Sequence, residues 1–269
     1  MLTRIKIGLK LEWKTHYTNW SPLFFLINEI TVLTFMYFMA KAFIPKTDLF
    51  ESYQGDYFIF ILIGETCFRS PLVLMNSFVR NLKNLGQDGM FDDLLMAPKS
   101  LQNILTHKGI AALMIEFAKV IIILSLAVII FKVPFHFLGL VQFALLQVSA
   151  LPLFAGLGLL ALAIFIKFKR GDHLVNKLAS LMVVLSGAYF PVQVFPESFR
   201  QLLIVLLPLN HLVDSSRKAM ALQLTFSQLI IDSLSLVACG LFVSALGYMA
   251  VKYSIVAEKK FGRPFLFRY

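Results

Sequence analysis

Glu65 and Arg69 lie four residues apart within an apolar stretch. On a helix this spacing puts them on one face, with the acid N-terminal to the base. Glu116 and Lys119, three apart in another apolar stretch, also share a helical face. Glu29 stands in a third stretch without a close sequence partner. Charge is expensive in hydrocarbon, so such residues face a protein interior or a wet route and pair with one another. Three chemistries fit: internal ion pairs that hide charge, a route in which Arg69 or Glu29 meets a polar or anionic headgroup, and a proton relay. Metal chemistry has no clustered ligands to rest on. His16, His107, His136, His173 and His211 are scattered at the ends of apolar runs, and no His-Glu-x-x-His or Cys-x-x-Cys occurs. Cys67 and Cys239 both sit within apolar runs and suggest neither a disulfide framework nor a metal site. No Gly-x-x-x-x-Gly-Lys-Ser/Thr phosphate loop is present, so the usual ATP-binding element is missing from the sequence.

The elements that must position these charges are membrane spans. Of 269 residues, 58% are hydrophobic, 27 are Phe and only 15% are charged. The mean hydropathy is +0.78, and the charges fall between long apolar runs. A soluble surface does not tolerate that composition. The net charge of +10 reads as basic flanks of membrane spans, not as a nucleic-acid surface, because no basic stripe interleaves with aromatics outside the apolar runs. Windows of about 20 apolar residues place six spans near 22–44, 57–79, 105–131, 137–166, 173–190 and 228–252. The first run is too long for a signal peptide and shows no cleavage site, so it reads as a retained span. With the N-terminus in the cytoplasm, seventeen Lys and Arg fall in the inside segments and six in the outside ones. This bias puts both termini on the cytoplasmic side.

Four segments depart from a plain bundle. Leu2, Ile5, Leu9 and Trp13 recur at helical spacing among Lys6, Lys10 and Lys14, as in an amphipathic helix at the inner interface. Residues 86–98 hold a short amphipathic helix between two glycines and Pro98; Met90, Phe91, Leu94 and Leu95 form an apolar face that needs a cover, and Asp92 and Asp93 lie near its start. The apolar run 191–209 is punctuated by Pro191, Pro196 and Pro208. Its longest uninterrupted part, ten residues, covers about 15 Å, half of the ~30 Å core, so an external re-entrant hairpin is expected before the last span. Asp214 and Arg217 follow it, at the end of an amphipathic helix. The fourth span is longer than a crossing requires and contains Pro152, Gly156 and Gly158, which predicts a kink or tilt. No repeat or linker divides the chain, and residues 1–269 read as a single all-α membrane domain.

The stretch Gly89-Met90-Phe91-Asp92-Asp93-Leu94-Leu95-Met96-Ala97-Pro98 resembles the coupling-helix motif of ABC transporter permeases of the type-2 exporter family. Ser186-Gly187-Ala188-Tyr189-Phe190-Pro191, followed by Phe195-Pro196, Leu207-Pro208-Leu209 and Arg217, resembles that family's second signature before the last span. The sequence departs from the family pattern at Met90 and Asp92, which stand in place of Thr and Glu. The resemblance implies the membrane-spanning subunit of an exporter in a bacterial cytoplasmic membrane, in contact with membrane lipid and paired as a homodimer or with a similar permease. It further implies a separate ATPase subunit that carries ATP and Mg. Phe91, Asp92, Asp93, Leu94 and Leu95 would contact that ATPase. Glu29, Glu65 and Arg69 would line the substrate path, and Tyr189, Phe190, Pro191, Phe195, Pro196 and Pro208 would build an external gate. Lipids, glycolipids, polysaccharides and amphipathic small molecules are the substrate classes implied. The competing reading of the residues is an ion- or proton-coupled transporter acting alone, which would use the intramembrane charges but leave the apolar helix at 90–95 without a role. An intramembrane enzyme lacks a nucleophile, base or metal cluster, and a scaffold subunit of a larger complex is a further alternative.

Overall fold

A computed structural model describes residues 21–43, 56–87, 98–168 and 172–260. Among these residues there are nine α-helices, one 3-10 turn and no strand. In chain order they are α1 (Ser21–Phe43), α2 (Tyr57–Gln87), α3 (Pro98–Phe131), α4 (Phe137–Ser149), α5 (Leu151–Phe168) and α6 (Asp172–Leu185). The 3-10 turn Val192–Val194 follows, then α7 (Glu197–Leu206), α8 (Leu209–Met220) and α9 (Phe226–Lys260). The segments expected as an interfacial helix (Leu2–Tyr17) and as the coupling helix (Phe91, Asp92, Asp93, Leu94, Leu95) lie outside the described residues.

Among the described residues five helices are long and apolar enough to cross a membrane: Leu23–Ala42, Tyr57–Asn84, Thr106–Phe131, Leu151–Phe168 and Phe226–Ala257. They coincide with the expected spans one, two, three and six and with the second half of span four. The expected 137–166 span is divided at Ala150, between α4 and α5. Pro152 explains the break: it has no N–H for the Val148 carbonyl, and its ring would collide with it. The hydrogen-bond chain is nearly continuous across the joint, since Ala150 N donates to Leu146 O at 3.0 Å and Phe154 N to Ala150 O at 3.0 Å. The anticipated kink is therefore located at Ala150–Pro152 and not at Gly156 or Gly158. The expected 173–190 span ends early: α6 has 14 residues and stops at Leu185, a length of about 21 Å. Gly187 ends it. With φ +80 it occupies the left-handed position of a Schellman cap, in which Gly187 N reaches Val184 O and Ala188 N reaches Val183 O, both at 3.4 Å.

α2 is the axis of the molecule. It packs against α1, α3, α5, α6 and α8, and Phe58, Phe60, Leu62, Phe68 and Leu82 along it are fully buried. α1 and α9 instead leave broad apolar faces exposed, including Phe24, Phe35 and Phe38 on α1 and Ile231, Leu241 and Phe242 on α9. In hydrocarbon these faces lose nothing by contact with lipid, so helix association must come from close packing and polar contacts. The α5–α9 seam has both. A Cβ at Gly240 would lie 2.6 Å from Leu153 N, one at Gly156 2.6 Å from Ser244 N, and one at Gly247 2.8 Å from Gly156 O. Between these glycines Ser244 Oγ donates to Pro152 O at 2.5 Å. Gly109 of α3 and Gly158 of α5 both face the Phe78 ring of α2.

Gly156→Ala pushes against the α9 backbone, which cannot rotate away as a side chain can. Overpacking of this kind costs about 1–3 kcal/mol. A drop of several degrees in the apparent melting midpoint in detergent is expected, and an unchanged midpoint would show that α5 and α9 do not approach this closely.

Candidate functional site

The intramembrane charges of α1, α2 and α3 meet at one place. Arg69 is four residues after Glu65 on α2, and Pro71 lies just beyond it inside the same helix. Its guanidinium points at α1, where it binds Glu29 as a fork: Nη1 donates to Oε1 at 3.0 Å and Nη2 to Oε2 at 2.8 Å. Two further carboxylates stand farther away. Glu116 Oε1 of α3 is 3.7 Å from Arg69 Nη1, and Glu65 Oε1 is 3.8 Å from Arg69 Nε. Lys119 Nζ lies 3.4 Å from Glu116 Oε2 and 5.5 Å from the centre of the Phe25 ring on α1. Glu29 and Glu116 are 5% exposed, whereas Glu65 and Lys119 keep 27% of their side-chain surface.

The two same-helix pairs expected from spacing are present but long. The short, bidentate contact is between Glu29 and Arg69, 40 residues apart in sequence. Bidentate charge-assisted hydrogen bonds are the strong kind, so Glu29 is the principal partner of Arg69. Spacing could not have found it, because it exists only through the packing of α1 on α2.

A fourth element reaches the cluster. Tyr189, in the bend after α6, donates its hydroxyl to Glu65 Oε2 at 3.1 Å. Of the residues expected to form a gate, Tyr189 therefore belongs to the same polar system as Glu65. Pro191 is buried, Phe190 and Pro196 are exposed, and Phe195 and Pro208 are half-buried. Phe195 stacks edge-on against Phe199 of α7, centroids 5.6 Å apart. Each proline opens a turn: Pro191 O accepts from Val194 N at 3.1 Å, Pro196 O from Arg200 N at 2.9 Å at the head of α7, and Pro208 O from Leu212 N at 3.4 Å at the head of α8. The segment is thus a chain of short helices, none of which can cross a bilayer alone. α7 and α8 are tied at their junction by Asn210, whose amide donates to Leu203 O at 3.0 Å.

Arg217, placed by the sequence at the end of an amphipathic helix, is only 4% exposed, and Asp214 pairs with Lys218 at 2.6 Å. Among the described residues no group of three His, Cys, Asp or Glu could hold a metal ion, and Cys67 and Cys239 are both free thiols. The cluster holds charge within a helical bundle, with Glu65 and Glu116 standing near Arg69 beside its principal partner Glu29.

A family model described as ABC-2 type transporter matches residues 3–221 of the chain. The matched range includes the charge cluster, the prolines of the α6–α8 segment and Arg217, and it ends before α9. No curated protein matches the chain significantly.

Arg69→Gln strands Glu29, while Glu116 keeps Lys119; removing one member of a buried pair costs about 3–5 kcal/mol. Glu29→Gln combined with Arg69→Gln restores a neutral match. The double variant is expected to melt above Arg69→Gln alone; equal midpoints would show that the two side chains do not interact.

Proposed function

We propose that this chain, which belongs to the ABC-2 type transporter family, is the membrane subunit of an ATP-driven exporter whose ATPase is a separate polypeptide. The family match over residues 3–221 carries this reading. The absence of a phosphate loop from the sequence fits it, with a partner that holds ATP and Mg supplying the energy. Two such chains, or this chain and a similar permease, pair around a central path in a bacterial cytoplasmic membrane. The chain crosses the membrane six times, with both termini in the cytoplasm, and residues 191–209 enter from the outer side as a re-entrant hairpin.

Closure of the ATPase dimer is transmitted through the amphipathic stretch Leu2–Tyr17 and through Phe91, Asp92, Asp93, Leu94 and Leu95. The helices carrying Glu29, Glu65 and Arg69 then shift relative to one another, and Tyr189, Phe190, Pro191, Phe195, Pro196 and Pro208 open the outer end. In the resting arrangement Arg69 is occupied by Glu29. An anionic or polar headgroup on an amphipathic lipid, glycolipid or polysaccharide carrier competes for that guanidinium once α1 withdraws its carboxylate. The cluster thus serves as a polar station on the path.

Purification of the tagged chain in mild detergent, with mass identification of what accompanies it, tests the reading. A soluble subunit carrying a phosphate loop is expected in about equal amount. Leu94→Ala with Leu95→Ala should lower its recovery by about tenfold or more, as loss of a central apolar anchor does. A chain that purifies alone and supports ATP-independent flux in liposomes would replace this reading with an ion- or proton-coupled transporter.

A further inference from the structure

The Ser186–Phe190 bend is docked on one face of α2. Gly64 of α2 leaves no room for a side chain, since a Cβ there would run into the Ala188 carbonyl. Two turns earlier on that face Tyr57 also engages the bend, and one turn earlier Phe60 meets Arg217. Tyr57 Oη donates to Tyr189 O at 2.9 Å. Arg217, which arrives from α8, holds two carbonyls at once: Nη2 donates to Ala188 O at 2.8 Å and to Phe60 O at 3.1 Å, and Nε donates to Phe60 O at 3.3 Å. Its guanidinium carbon lies 3.3 Å from the centre of the Phe60 ring. Ser186 and Ala188 are at most 1% exposed. A carbonyl buried this deeply needs a donor, and only a planar fork can serve two carbonyls on different elements while stacking on an aromatic face.

We propose that Arg217 is a positioning residue that clamps the 186–190 bend to α2, with Tyr57 as a second clasp. Through Tyr189 and its bond to Glu65, the clamped bend is continuous with the charge cluster of α1, α2 and α3. The bend leads directly into Pro191 and the 3-10 turn, so the clamp sets whether the α6–α8 segment lies closed on α2. That release of the clamp accompanies export rests on the function proposed above; that Arg217 holds the bend does not.

The test places a thiol under the bend. With Cys67→Ala and Cys239→Ser as background, Ser186→Cys reports opening of the bend through its rate of reaction with a water-soluble maleimide. Ser254→Cys in the α5–α9 seam, where Ser254 is buried, reports general loosening. Arg217→Lys keeps the charge but loses the fork, and Gly64→Ala wedges the bend from the opposite side. Each is expected to speed labelling of Ser186→Cys about tenfold, with labelling of Ser254→Cys unchanged. Unchanged labelling at 186, or an equal rise at both thiols, overturns the clamp. Should either variant fail to fold, Tyr57→Phe removes a single oxygen and is expected to raise labelling at 186 a few-fold; no rise overturns the proposal. The clamp is read on the permease alone. Adding the co-purified ATPase with ATP should also speed labelling at 186 in the chain with Arg217 intact. A clamp that responds to Arg217→Lys but not to ATP stands as a structural clamp and counts against the exporter reading.

Discussion

A guanidinium inside a helical bundle is tolerable only when carboxylates or carbonyls surround it, and this constraint organises the chain around α2. Arg69 recruits α1 through Glu29 and faces Glu116 of α3. Arg217 recruits α8 and the bend after α6 by taking carbonyls from α2 and from that bend. The two arginines therefore tie most neighbours of α2 to two points along its length. Apolar packing cannot supply this specificity in a membrane, because a leucine gains as much from lipid as from another leucine. The polar ties select which helices sit beside α2 and in which rotation.

Where no charge is available, close approach of backbones takes over. α5 and α9 meet along Gly156, Gly240 and Gly247, with Ser244 donating to Pro152 O between them. The proline that breaks the helix after Ala150 thus also presents its carbonyl to a neighbour. An irregularity that would be costly if it faced lipid is covered by protein. The α5–α9 pair is a dispersion-packed unit, whereas the α1–α2–α3 group is held by ion pairs that can be exchanged.

The five long helices were legible in the sequence because crossing a membrane demands a long apolar run. The end of α6 was less legible: hydropathy continues through Ala188 and Tyr189, yet the chain turns at Gly187, and a glycine four residues before a proline was the available signal. The charged residues of the site could be named from sequence because ionisable groups are rare in such runs. Their pairing could not, because spacing sees only neighbours on one helix and Glu29 reaches Arg69 from another. Arg217 shows the same limit. Its sequence places it at the end of an amphipathic helix beside Asp214, while its partners are carbonyls at positions 60 and 188, brought to it by tertiary packing.

The geometry of the cluster also bears on how it can move. If α1 carried Glu29 away and nothing replaced it, an arginine would be left unpaired in hydrocarbon, which is more costly than most conformational changes can sustain. Glu116 at 3.7 Å and Glu65 at 3.8 Å stand close enough to accept Arg69 with small side-chain shifts. Motion of α1 against α2 can then proceed by exchange of partners, at a cost far below that of separation. Glu65 is the carboxylate best placed to change. It is the more exposed of the two and, among the described residues, is held by one long contact and by the Tyr189 hydroxyl, whereas Glu116 is also held by Lys119. A shift of Glu65 toward Arg69 draws on that hydroxyl, so rearrangement among α1, α2 and α3 reaches the bend after α6 through one hydrogen bond. In this arrangement α2 is the common neighbour, and Glu65 joins the charge cluster of α1, α2 and α3 to the bend after α6 through the Tyr189 hydroxyl.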